Sequence, residues 1–212
     1  MKTFLLGLIV GLLILPLIVF LHFRIGHPPV AVTDQAYSLE KELVDVPLHA
    51  RIDKEMPKSS PIEPSETNLE TGAHIYRQQC AACHGLYGRP SSFASHMYPH
   101  APQLWAPHRD GVVGVSDDPP GETYWKVANG IRLTGMPSFN KVLSETQMWQ
   151  VTLLLANADK PLPAGTLELL KQPLDLDPAA LAAPQPSNAP PQKITDQDIN
   201  GMPPAMPPDA QQ

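Results

Sequence analysis

An unbroken apolar run opens the chain. From Thr3 to Phe23 only Thr3 and His22 are polar, with Lys2 before the run and Arg24 after it. At about 1.5 Å per residue a helix of that length spans a hydrocarbon core of roughly 30 Å. Pro16 and the two glycines are tolerable in such a helix. A cleaved signal peptide would have a shorter apolar region ending at an A-x-A-like site. Here Arg24-Ile25-Gly26-His27-Pro28-Pro29 follows instead. The pattern predicts an uncleaved membrane anchor over residues 1–30, in contact with lipid through residues 4–23.

Beyond the anchor the pattern weakens and then recovers a helical period. Asp34 to Val44, with Tyr37, Leu39 and Leu43 partly on one side, predicts a short amphipathic helix. Pro47, Pro57, Pro61 and Pro64 then predict an extended stretch. Residues 31–66 thus read as a spacer, semi-rigid where proline is dense, with packing of Leu48 to Met56 left open. Thr67-Asn68-Leu69-Glu70 reads as a capping box opening a helix on which Gly72, Tyr76 and Cys80 stack at four-residue intervals. Gly121 to Asn129 predicts a middle helix with Tyr124, Trp125 and Val127 as its bulky members and Gly130 as a left-handed cap. Ser144 to Gln147 is a second capping box, starting a helix over Glu145 to Ala158 that stops before Pro161. Its Trp149 and Leu153 are predicted to cross the first helix near Gly72 and Tyr76, where a small residue lets the backbones approach. Thr166 to Lys171 adds one more turn. Residues 161–212, increasingly rich in Pro, Ala, Gln and Asp, read as a disordered tail, too poor in apolar surface to offset its ordering entropy.

Charge and composition change this picture only a little. The net charge of −6, from 15 basic and 21 acidic residues, lies mostly in the flanks, so residues 64–160 are close to neutral. That balance offers no basic patch of the kind nucleic acid requires.

The chemistry lies in one pentapeptide. The chain's 2 cysteines stand together in Cys80-Ala81-Ala82-Cys83-His84. C-x-x-C-H is the attachment signature of a c-type haem: two thiols add across the porphyrin vinyl groups, and the histidine is held beneath the iron. The alternatives are a disulfide or half of a zinc site. Zinc needs four ligands, usually with a second C-x-x-C or an H-x₃₋₅-H pair; the only such histidine pair after the cysteines is His96 and His100, and the surroundings of the motif favour haem over zinc. A redox C-x-x-C would need a preceding strand and a βαβ pattern, and neither is present. Downstream, Thr134-Gly135-Met136-Pro137-Ser138-Phe139 carries a thioether on a rigid loop, a soft and uncharged axial ligand for haem iron. Met97 competes with Met136 for that place, while Met148 falls inside the last helix and reads as packing. His96-Met97-Tyr98-Pro99-His100 reads as a secondary metal site, as a source of a distal ligand, or as a solvated loop. The loop is preferred, since two imidazoles alone are a poor cage.

CAACH, TGMPSF and the closing helix, in that order, make Thr67 to Lys160 resemble the class I cytochrome c domain, in the form of a membrane-anchored, single-haem bacterial cytochrome. The resemblance implies an all-α haem domain over residues 67–160. It implies one covalent haem c held by Cys80 and Cys83, with His84 and Met136 as iron ligands; Met136 is chosen because Gly135 and Pro137 match the family's ligand loop. Pro102 is implied as the carbonyl acceptor of the His84 ring N–H. Arg132, Lys126 and, through its indole N–H, Trp125 are candidate partners of the haem propionates, with core packing as the alternative for Trp125 and a plain surface cation as the preferred reading of Lys126. The implied activity is one-electron transfer between redox proteins, with no catalytic residue. The haem domain would face the periplasmic side of the inner membrane. Family members act as free carriers or as cytochrome subunits of a dehydrogenase or terminal oxidase. The rival readings are a haem enzyme or gas-binding protein, should Met136 be labile, and a copper-handling protein using His96, Met97 and His100.

Overall fold

The computed structural model describes residues 2–108 and 111–174. Most of the expected tail therefore lies outside the described residues. Within them the chain forms seven α-helices and no strand. The first, α1 (Lys2–Ile25), is apolar and solvent-exposed along its length and continues through Pro16. It is long and apolar enough to cross a membrane.

The next segment departs from expectation. Residues 30–34 form a turn in which the Val30 and Ala31 N–H groups both donate to Asp34 Oδ2 at 2.8 Å. The helix, α2, comes later and is longer, spanning Glu40–Glu55 straight across Pro47. A proline inside a helix removes one hydrogen bond and crowds the preceding turn, which is why the sequence predicts an extended stretch here. Local pairs between Lys41 and Asp45 and between Arg51 and Glu55 support α2 on either side of Pro47. Its last turns are also packed: Ile52 is completely buried, and Glu55 accepts the Trp125 indole N–H at 2.9 Å. Just beyond, a Cβ on Gly121 would lie 1.9 Å from the Pro57 carbonyl oxygen, so only glycine permits that approach. The second half of the expected spacer is thus built into the helical domain that follows it.

Helix α3 (Glu66–Gln79) has its cap two residues before the predicted one. Ser65 is the cap, accepting the Asn68 N–H at 3.3 Å from an extended backbone. Thr67 is already helical, and its carbonyl accepts the Thr71 hydroxyl at 2.8 Å. A single turn, α4 (Ala81–His84), follows. Helix α5 runs over Pro120–Asn129 and ends on Gly130 at φ +68. The Ser144–Gln147 capping box forms as predicted and opens α6 (Glu145–Ala156). Helix α6 ends two residues short of expectation, capped by Asn157.

The core is the crossing of α3 on α6 at Gly72, where a Cβ would lie 2.4 Å from the Gln150 carbonyl oxygen. The residues facing Gly72 are Gln150 and Leu154; Trp149 turns instead to α5 and stacks on Tyr124 at 4.3 Å. The last helix, α7 (Ala164–Lys171), is two turns rather than one. It closes over α3 by burying Leu170, and Arg77 donates to the carbonyls of Leu169, Gln172 and Pro173 at 2.6–3.0 Å.

Candidate functional site

Helix α3 delivers Cys80 as its last, capping residue, and the α4 turn carries Cys83 and His84 immediately after it. The His84 and Cys83 N–H groups bond the Cys80 carbonyl at 2.9 and 3.1 Å, so both thiols and the imidazole leave one compact turn. The cysteines are free and half-buried. Burial pushes the Cys80 thiol up to about 12, with the neighbouring Cys83 adding to the shift. It therefore carries its proton at neutral pH.

The chain then reverses at Gly85, φ +76, where a Cβ would strike Gln103 Oε1 at 2.7 Å. Gln103 is the clamp of this region. Its amide nitrogen donates to the carbonyls of Cys83 and Ala101, each at 3.1 Å, and its oxygen accepts the Ser91 N–H at 2.6 Å. The Leu104 N–H reaches the His84 carbonyl at 3.2 Å. From beneath, the buried Tyr76 hydroxyl donates to the Gly85 carbonyl at 2.8 Å. Together these bonds hold the Pro102 carbonyl 2.8 Å from His84 Nδ1. A carbonyl can only accept, so Nδ1 carries the ring proton and Nε2 keeps its lone pair. Burial pulls His84 protonation below the ordinary range, the Pro102 bond opposing it, so the ring is neutral near pH 7.

The second candidate element is the loop from Ile131 to Met136. It folds over Gly130, where a Cβ would lie 2.7 Å from the backbone of Pro137 and Ser138. The Ile131 N–H bonds the Met136 carbonyl at 3.2 Å, and the Phe139 N–H ties the loop's exit to the Val127 carbonyl of α5 at 3.0 Å. Met136 is half-buried and packs on the same core cluster as Cys80, a cluster that contains Tyr76, Ala81, Trp105 and Phe139.

The other predicted residues fall into different settings. Arg132 is exposed on the Met136 loop. Trp125 is buried, and its indole N–H is already donated to Glu55. That bond, with a second from Arg51, holds the Glu55 carboxyl below the usual carboxylate range. Lys126 pairs with Glu122 at 2.6 Å on its own helix. His100 Nδ1 lies 2.8 Å from the Ala94 carbonyl, and among the described residues no group of three or more His, Cys, Asp or Glu could hold a metal ion. Met97 is the surprise: its terminal methyl lies 2.5 Å from where a Gly135 Cβ would be, against the Met136 loop. Gln103 and Thr134 are structural members of the site that the sequence reading passed over. The only sequence signal for either was its position, Gln103 next to Pro102 and Thr134 inside TGMP.

The donor set fits a covalently bound haem. Two free thiols and a neutral imidazole with an open Nε2 leave one turn, and a thioether packs on the same core cluster. Residues 67–154 match the family described as cytochrome c oxidase, cbb3-type, subunit III. A solved structure, a reducing HAO-like protein complex of Kuenenia stuttgartiensis, is similar at 25% identity over 48% of this chain and 48% of that one, with a TM-score of 0.39. The chain thus spans about half the length of that structure. No curated protein matches the chain.

Proposed function

We propose, from the premise that residues 67–154 are a c-type cytochrome domain, that the chain is a membrane-anchored one-electron carrier with a single haem c. In this reading Cys80 and Cys83 would hold the haem as thioethers, and His84 Nε2 and the Met136 thioether would be the protein's donors to its iron. The haem supplies a one-electron ferrous/ferric couple, which a thioether ligand shifts upward. The observation that carries the proposal is the His84 ring: its Nδ1–H is committed to Pro102 at 2.8 Å, which fixes the tautomer and orients Nε2 as a donor. With His84 and Met136 both given to the iron, the group would supply electron transfer rather than a place for a substrate. Arg132, exposed on the Met136 loop, is a cation that could meet a propionate, whereas Trp125 acts through packing and its bond to Glu55. One CAACH predicts one haem per chain. Haem staining after denaturing electrophoresis should give a band that survives acid–acetone extraction, and a band that loses its colour would sink the covalent assignment.

Helix α1 anchors the carrier in the inner membrane with the haem domain on the periplasmic side. An apolar run of this length binds through hydrocarbon burial, which salt does not weaken. The full-length protein is expected to stay in the membrane pellet through high-salt washing and to need detergent for release. Replacing residues 1–30 by a cleavable signal should give a soluble, haem-loaded protein. Native protein that starts beyond Arg24 and is soluble would overturn the anchor.

A second reading is that the chain works as the cytochrome subunit of a membrane oxidoreductase. The description of the matching family, an oxidase subunit, favours it. Purification in mild detergent separates the two: a subunit brings a stoichiometric redox protein with it, whereas a free carrier elutes alone.

A further inference from the structure

The six residues from Ile131 to Met136 are held in a conformation they would not choose freely. Leu133 sits at φ +64, in the left-handed region that a leucine occupies only when its surroundings impose it. Its side chain is 76% exposed, so burial of the leucine does not explain the conformation. The constraint comes from the next residue. The Thr134 hydroxyl donates to the Ile131 carbonyl at 2.7 Å and accepts the Met136 N–H at 3.0 Å. The backbone closures beside it, Thr134 N–H to the Ile131 carbonyl and Ile131 N–H to the Met136 carbonyl, are both longer at 3.2 Å. One hydroxyl thus makes the two shortest links across the loop, and it is the acceptor for the backbone N–H of the methionine itself. The Met97 methyl lies against Gly135 of the same loop.

We infer that Thr134 is the positioning residue of the sixth-ligand loop, fixing how readily the Met136 thioether leaves the iron. The inference rests on Met136 being that ligand. Without the hydroxyl, Leu133 is free to leave its imposed conformation and carries the Met136 backbone with it. The side chain is matched to the task, because a hydroxyl can donate and accept at once. Valine has the same shape and can do neither; serine can do both.

The test uses the full-length, detergent-solubilised haem protein and compares Thr134→Val, Thr134→Ser and Met136→Ala. The readouts are covalent haem per chain, the weak red charge-transfer band of thioether-bound ferric iron, and the affinity of the ferric protein for imidazole. Thr134→Val should keep its haem, lose intensity in the red band and bind imidazole roughly tenfold more tightly, the size that two lost hydrogen bonds allow. Thr134→Ser should stay close to wild type. If Thr134→Val matches wild type while Met136→Ala opens the iron, the positioning role falls and the ligand assignment stands. If Met136→Ala leaves the red band intact, the ligand assignment falls and takes this inference with it. Should Thr134→Val load haem poorly, Thr134→Ala decides by the same measurements, and wild-type imidazole affinity there overturns the role.

Discussion

Met136→Ala is expected to leave the haem attached, open the sixth coordination position and lower the reduction potential. On the proposed ligation attachment would depend on Cys80, Cys83 and His84, which lie on a different segment from the Met136 loop. The potential falls because a neutral thioether favours ferrous iron, and water or hydroxide in its place removes that preference. A drop on the order of 100 mV is expected, a modest part of the roughly 0.8 V that axial ligands span. Magnetic circular dichroism of the ferric protein checks the ligand directly, and carbon monoxide binding to the ferrous protein checks access. If the wild type already binds carbon monoxide rapidly when reduced, the closed carrier gives way to a gas-binding or enzymatic haem.

The companion variants are not equally silent. His100 bonds the Ala94 carbonyl within its own turn, so His100→Ala should alter neither spectrum nor potential. Met97 is, from sequence, the rival ligand set aside in favour of Met136. With its methyl against Gly135, Met97→Ala is instead expected to soften the Met136 loop, weakening the red band without abolishing it. Survival of the thioether signature in Met136→Ala and its loss in Met97→Ala would move the ligand to the earlier loop.

What the sequence made legible was local. Cys80, Cys83 and His84 stand out in the sequence by their C-x-x-C-H spacing, and they do leave one turn of the chain. The Ser144–Gln147 box is likewise complete within four residues, and both of its bonds form. Where two neighbouring residues could each cap, as at Ser65 and Thr67, local chemistry does not choose between them. The choice fell to Ser65, whose backbone is extended. Helix α2 was illegible for a different reason. Pro47 argues against it locally, while what holds it, the Trp125–Glu55 bond and the buried Ile52, comes from long-range packing. Gln103 and Thr134 escaped notice because their roles exist only once a loop has folded. An amide that reaches three backbone groups and a hydroxyl that reaches two leave no periodicity to read.

Gly72→Ala sets two familiar effects against each other, and the structure decides the sign. In an unencumbered helix interior the change gains about 1 kcal/mol from propensity alone. At Gly72 the new Cβ would lie 2.4 Å from the Gln150 carbonyl oxygen and 2.9 Å from its carbon. Both are backbone atoms of α6, so no side-chain rotation relieves the contact and the two helices must separate. Overpacking of a core costs about 1–3 kcal/mol, and a clash with rigid backbone belongs at or above the top of that range. The net expectation is a loss of about 2 kcal/mol, or a melting temperature lower by roughly 10 °C for a domain of this size. Gly165→Ala is the control. That glycine lies in α7 with nothing within 4 Å of its Cβ position, so the same substitution should stabilise by up to about 1 kcal/mol. Circular dichroism melts of the two variants in one detergent give the comparison. Melting temperatures that move in the same direction would mean that α3 and α6 do not cross at Gly72. Cys80 sits two turns further along α3, so the haem turn would then need a different support.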